Sequence, residues 1–293
     1  MLLVIGANGF VGRHIVRHFE ASGRRVCSAS HLPGADVLFD LNNPAALAGQ
    51  LHGFDIGSAV ICSGIADIER CAREREATWN FNVTRMRDLI AVLRGMQIGI
   101  LFCSSDMVFS GHRGGCCERD PPDPASEYGR QKRAIEMFLL SEGEPHAILR
   151  MSKLYSIEPG DGSMIHQTIG ALKAGSNIRA ATDQIIVPTA VGDVARTVEV
   201  IVDRGLAGVF HVSAQTRYSR YDLVRDVARA MAVEADIVAC SIDDFPFLEK
   251  RPKTLWLDGA QTRAITGVQS IELADVLGDI LAGAAALAER PDR

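Results

Sequence analysis

Tyr128 and Lys132 stand four residues apart in the run Tyr128-Gly129-Arg130-Gln131-Lys132. On a helix, residues at i and i+4 share a face. A free phenol has a pKa of about 10 and gives up its proton poorly near neutrality. A neighbouring ammonium stabilises the phenolate and eases that transfer. Such a pair can donate a proton to a carbonyl oxygen as it is reduced. Leu101-Phe102-Cys103-Ser104-Ser105-Asp106 places hydroxyls at the end of an apolar run. A serine there can hydrogen-bond a substrate carbonyl and its developing oxyanion, and Ser105 is favoured over Ser104 for this role.

A second constellation opens the chain. Gly6-Ala7-Asn8-Gly9-Phe10-Val11-Gly12 is a G-x-x-G-x-x-G run between a short apolar segment and a helical pattern. Glycines let the backbone turn sharply and approach a pyrophosphate, and the helix that follows presents free N–H groups. Together the two constellations predict a dinucleotide that supplies hydride to the carbon of the same carbonyl. Val26-Cys27-Ser28-Ala29-Ser30-His31 carries no acid to hold ribose hydroxyls. Ser30 and Arg13 instead suit a 2′-phosphate, which favours NADPH over NADH. Asp40 and Leu41, at the next strand end, stand either beside the adenine or at the start of the turn before Pro44. Cys62, Ser63 and Gly64 end a further apolar run and are also assigned to the cofactor.

These residues need a frame to hold them. Leu2–Ile5, Arg25–Ala29, Ile56–Cys62 and Ile98–Cys103 read as buried strands. They alternate with helical patterns at Val11–Phe19 and Trp79–Leu93. Alternation of this kind predicts an α/β fold, a Rossmann-type doubly wound parallel sheet. Pro121, Pro122 and Pro124 place Tyr128 near the start of its helix. The texture changes near residue 150, where Pro159, Gly160 and Gly162 mark a loop. The reading divides the chain into a dinucleotide-binding domain at 1–150 and a smaller substrate-binding lobe at 151–293. Residues 183–212 are expected to return to the Rossmann core.

Bulk properties narrow the class. The chain has 293 residues, 47% hydrophobic and 23% charged, with net charge −5. No basic patch suggests a nucleic-acid partner. No apolar run approaches a membrane span, and Met1–Gly6 reads as a strand, not as a leader. Seven cysteines, an odd number mostly in apolar runs, fit a reduced cytoplasmic protein. Cys116-Cys117 has no second pair at zinc-site spacing, so no metal is expected.

The glycine loop, the serine-bearing strand end and Tyr-x-x-x-Lys, in this order, resemble the extended short-chain dehydrogenase/reductases. Ser104-Ser105-Asp106-Met107-Val108-Phe109-Ser110-Gly111 resembles the dTDP-4-dehydrorhamnose reductase branch, which reads S-T-D-Y-V-F-x-G there. Leu149-Arg150-Met151-Ser152, Asp183-Gln184 with Pro188-Thr189, Gly208–Val212, and Arg251-Pro252 with Leu257-Asp258 extend the resemblance along nearly the whole chain. It implies a catalytic trio of Ser105, Tyr128 and Lys132. It further implies substrate-side roles for Ser104, Asp106 and Asn82, and a nucleotide-diphosphate role for Arg251. The implied substrate is a nucleotide-activated 4-keto-6-deoxy sugar, and a homodimer is compatible.

There are departures. Lys153 stands where that branch has tryptophan; it is either a rim lysine or, pointing inward, a contact for a more polar or anionic sugar. Met107 replaces tyrosine, and Ile185 stands where glycine is frequent. Two other functions stay open at this point. One is epimerisation or dehydration of a sugar nucleotide. The other is a non-catalytic NADP-binding regulatory role, as in a regulatory subunit of methionine adenosyltransferase.

Overall fold

The computed structural model describes residues 1–141 and 145–288. Seven strands form one parallel sheet: β1 (Leu2–Ile5), β2 (Val26–Ser30), β3 (Val37–Leu38), β4 (Ser58–Ile61), β5 (Gly99–Cys103), β6 (Ala147–Met151) and β11 (Gly208–Val212). Their order is β11-β6-β5-β4-β1-β2-β3. β1 pairs with both β2 and β4. The chain therefore reverses direction across the sheet at β1, and the crevice at the carboxyl ends of β1 and β4 is the ligand position of such sheets.

Near-continuous apolar strands form because both faces are covered. Leu3, Ile5, Ile61, Phe102 and Ile148 face one helical layer, with Val83, Met86, Leu89, Ile135 and Leu139. Leu2, Val4, Val60, Leu101 and Leu149 face the other, with Ile15, Phe19, Val194 and Val198. Adjacent residues of β1 thus serve opposite cores, as the two-residue period of a strand requires. The helices of this frame are α1 (Phe10–Ala21), α2 (Ala46–Gln50), α3 (Ile68–Arg73), α4 (Arg75–Trp79), α5 (Arg85–Gly95), α6 (Glu127–Ser141) and α8 (Val191–Arg204).

The expected helix over Trp79–Leu93 is not continuous. A π-helical turn at Asn80–Thr84 lies between α4 and α5. It coincides with Asn82, which is drawn into hydrogen bonds across the interior. π-turns of this kind are frequent at functional sites.

The rest of the chain builds a lobe over the carboxyl end of the sheet. It contains α7 (Met164–Lys173), α9 (Arg220–Ala230), α10 (Ala260–Thr266) and α11 (Leu273–Ala288). Its strands run in pairs. β7 (Lys153–Tyr155) lies parallel to β10 (Pro188–Ala190), and β8 (Ile178–Ala181) parallel to β13 (Ile237–Cys240). β9 (Ile185–Ile186) lies antiparallel to β12 (Tyr218–Ser219). Tyr155, Ile165, Ile169, Leu223, Val227 and Ile280 form the lobe's own core. Within 183–212, α8 and β11 join the main frame, with α8 against α1, whereas β9 and β10 pair inside the lobe. No described helix is long and apolar enough to cross a membrane.

Candidate active site

The first loop has the shape of a phosphate cradle. Gly6 has φ +86°, and a Cβ there would lie 2.8 Å from the Ser63 nitrogen. A Cβ on Gly12 would lie 2.2 Å from the Gly6 carbonyl oxygen. Both glycines are therefore fixed by close backbone approach, which brings the loops after β1 and β4 together. Gly9 caps α1 without a side-chain hydrogen bond, and the first turn holds no acid. The amide donors of that turn lack a side-chain acceptor, the arrangement that receives a phosphate. Asn8 and Gly9 are exposed, Val11 is half-buried, and Arg13 stacks on Phe10 with its guanidinium carbon 5.2 Å from the ring centre.

The remaining cofactor candidates differ in what they offer. Ser30 is buried at the end of β2, and its hydroxyl accepts from the Leu32 N–H. Asp40 is exposed, but one oxygen accepts from the Asn42 amide and side chain. Leu41 is buried in the core, so its side chain is turned from the crevice and only its backbone can meet an adenine. Cys62 lies 3.6 Å from Cys103, sulfur to sulfur. Burial and this contact raise its thiol pKa, which keeps it a neutral wall. Gly64 adopts φ +150°, and a Cβ there would meet Asn82 at 3.3 Å and the Lys132 ammonium at 3.9 Å.

Ser105 follows β5 in extended conformation and caps a 3-10 turn over Asp106–Val108. Its hydroxyl accepts from the Met107 N–H at 3.2 Å and lies 3.0 Å from an Asp106 carboxylate oxygen, to which it donates. It stands close enough to the Tyr128 phenol to oppose the rise in that group's pKa. Burial pushes the carboxyl of Asp106 up to about 6, against the Ser105 bond and the charge of Lys153. Lys132 donates to the Cys103 carbonyl at 2.8 Å. Its ammonium lies 4.6 Å from the Phe102 ring centre and 5.9 Å from that of Tyr128.

Three expectations change here. Lys132 was expected to lower the tyrosine pKa, but burial and then the Asp106 charge raise it, while the ammonium is engaged by Cys103. Ser104 does not face the crevice. It is 2% exposed and donates to buried Glu136, because alternate strand residues point to opposite sides. Asn82 is committed within the protein. Its amide donates to the Ile65 carbonyl and to Gln131, and its oxygen accepts from the Ile65 N–H. It therefore shapes the loop beside Lys132, with its amide nitrogen spent inside the protein.

Glu136 belongs to a buried network that spacing did not reveal. Arg150, on β6, donates to it at 2.8 Å, and Arg150 also meets His211 at 3.3 Å. Glu136 is one turn beyond Lys132 on α6, so the pair fixes that helix against β5 and β6. The signal was an arginine inside the apolar run Ala147–Met151.

Lys153, at the start of β7, is exposed. Loss of solvent lowers its pKa first, then the charge of Arg220, and Asp106 opposes. Its charge is therefore felt at the reaction centre, although its side chain is exposed. Arg251 pairs with Glu69 at 2.5 Å and lies 4.4 Å above Phe247, while its other terminal nitrogen is buried without a partner. Arg220 was missed: it sits between Tyr218-Ser219 and an amphipathic helix, where it reads as a solvated first-turn residue.

Comparison with known proteins follows from this geometry. The family described as RmlD substrate binding domain matches residues 1–285. The chain is 28% identical to the probable low-salt glycan biosynthesis reductase Agl14 of Haloferax volcanii, over 94% of this chain and 95% of that one. It is 25% identical to a dTDP-4-dehydrorhamnose reductase of Aggregatibacter actinomycetemcomitans, over 96% and 98%. A dTDP-4-dehydrorhamnose reductase of Bacillus anthracis, solved in complex with NADP, has the same fold. Its TM-score is 0.86 at 21% identity, over 96% of this chain and 98% of that one.

Proposed function

The chain belongs to the RmlD substrate binding domain family, and on that premise we propose that it is an NADPH-dependent reductase of a nucleotide-activated 4-keto-6-deoxy sugar. The observation that carries this reading is the grouping of Ser105, Tyr128 and Lys132 at the mouth of the glycine cradle. Dehydrorhamnose reductases among the relatives support the same class. NADH is the second cofactor compatible with the cradle.

When bound, the dinucleotide supplies hydride to the carbonyl carbon. The chain's part is to hold the ketone and supply the proton. Ser105 donates to the carbonyl oxygen, and Tyr128 gives that oxygen its proton as the alcohol forms. Burial keeps Tyr128 protonated, so the proton is present for the reductive direction, and stabilisation of the phenolate as it forms falls to Lys132. Lys132 stands within reach of both the phenol and the cofactor loop at Gly64. Residues 1–150 serve as the cofactor domain and 151–293 as the substrate lobe, with Arg251 toward the diphosphate.

The test is NADPH absorbance against a panel of nucleotide 4-keto-6-deoxy sugars. One cofactor consumed per sugar supports a reductase. Sugar conversion without net consumption indicates an epimerase or dehydratase. Tight NADPH binding without turnover of any sugar returns the regulatory reading.

A further inference from the structure

Three cations converge at one short segment of the lobe. Lys153 of β7 lies opposite Pro188 of β10. Arg220 follows β12, which pairs with β9, and its N–H donates to the Gln184 carbonyl at 3.1 Å. Arg251 precedes the strand-like residues that bond Ile185, whose N–H donates to the Lys253 carbonyl at 2.7 Å. Residues 184–188 are thus the hub that brings all three together.

The charges around this hub do not balance. Lys153 senses Arg220, Arg251 and Asp106. Glu69 pairs with Arg251 and accepts from the Leu248 N–H. Among the described residues no carboxylate pairs with Arg220, and loss of solvent is what lowers its pKa. Arg251 is thus answered by Glu69, Glu249 and Asp67, whereas among the described residues Asp106 alone answers Lys153 and no carboxylate answers Arg220. Cations held together with too little counter-charge cost free energy unless an anion joins them. Arg251 is accounted for by a diphosphate. Lys153 and Arg220 remain, and Lys153 lies beside Asp106, which is bonded to Ser105 at the reaction centre.

We propose that Lys153 and Arg220 form an anion site in the substrate cleft that takes a carboxylate carried by the sugar of a nucleotide-activated substrate. This rests on the nucleotide-sugar part of the reading above and exchanges its 6-deoxy sugar for a sugar acid. A 6-deoxy sugar leaves the site unfilled, whereas a sugar acid fills it. Arg220 can present a planar fork to a carboxylate, with Lys153 as a point charge beside it.

The test is calorimetric binding to the NADP-loaded protein of UDP-glucuronate against UDP-glucose, and of the same two sugars on dTDP. Members of each pair share the diphosphate and differ at the carboxylate. The account expects the acid to bind at least about tenfold tighter on whichever nucleotide is accepted, the scale of one charge-assisted hydrogen bond. Lys153→Met and Arg220→Gln should each erase most of that preference, with affinity for NADPH kept. Equal binding of acid and neutral sugar overturns the anion site and leaves the reductase reading standing. A preference that both variants retain also overturns it. Failure of all four sugars to bind, with NADPH bound, removes the nucleotide-sugar reading itself.

Discussion

Gly129 presses on the carbonyl of Met107 so closely that a Cβ at position 129 would stand 2.0 Å from that oxygen. Met107 belongs to the turn that Ser105 caps, and Gly129 follows Tyr128 on α6. The absent side chain is therefore what lets the tyrosine helix sit against the serine turn. Gly129→Ala should cost about 1–3 kcal/mol as an overpacked contact. Denaturant unfolding would show the loss. NADPH affinity should be kept, because the cradle lies on other elements.

Gly12→Ala puts a Cβ 2.2 Å from the Gly6 carbonyl and forces α1 away from the first loop. NADPH binding should weaken by at least about tenfold, equivalent to ~1.4 kcal/mol. Fluorescence titration of bound NADPH would measure it. Unchanged affinity would remove the loop from the cofactor site.

The buried pair of Glu136 and Arg150 sets a second cost. Both side chains are at most 2% exposed. Glu136→Ala leaves the guanidinium uncompensated in the core and should destabilise by about 3–5 kcal/mol. The joint change Glu136→Leu with Arg150→Met should recover much of that, since a packed apolar pair avoids the desolvation of both ions. Thermal unfolding of the single and joint variants separates these outcomes.

Much of this frame is legible in the sequence, for a physical reason. Strands buried on both faces are written as apolar runs, so β1, β4, β5 and the glycine loop can be read directly. Tyr128 and Lys132 are legible because helical spacing alone puts them on one face. The partner choices are not. Ser104 and Ser105 look equivalent until strand alternation is fixed by the sheet. Arg150 and Glu136 meet, and Lys153 and Arg220 come near 184–188, through tertiary packing that no local period encodes. The paired short strands of the lobe, two to four residues long, leave too little pattern to read.

Asp106 gives a pH signature. Its carboxyl titrates near 6 in the folded chain against an ordinary 3.8, chiefly through burial. Between those values the folded chain holds a proton that the unfolded chain has lost. Stability from this group therefore falls as pH rises across that window, and levels off above it. Asp106→Asn should flatten that segment of a denaturation-midpoint profile. An unchanged slope from pH 4 to 6 would show that Asp106 titrates normally.

The central claim is proton donation by Tyr128 during NADPH-dependent reduction. The most direct measurement is NADPH oxidation with an accepted nucleotide keto-sugar by the native chain and by Tyr128→Phe, alongside NADPH affinity for both. The account predicts a loss of about 10²–10⁴-fold in kcat with cofactor affinity unchanged, the range of a general acid removed from its site. Turnover in Tyr128→Phe equal to that of the native chain would contradict it.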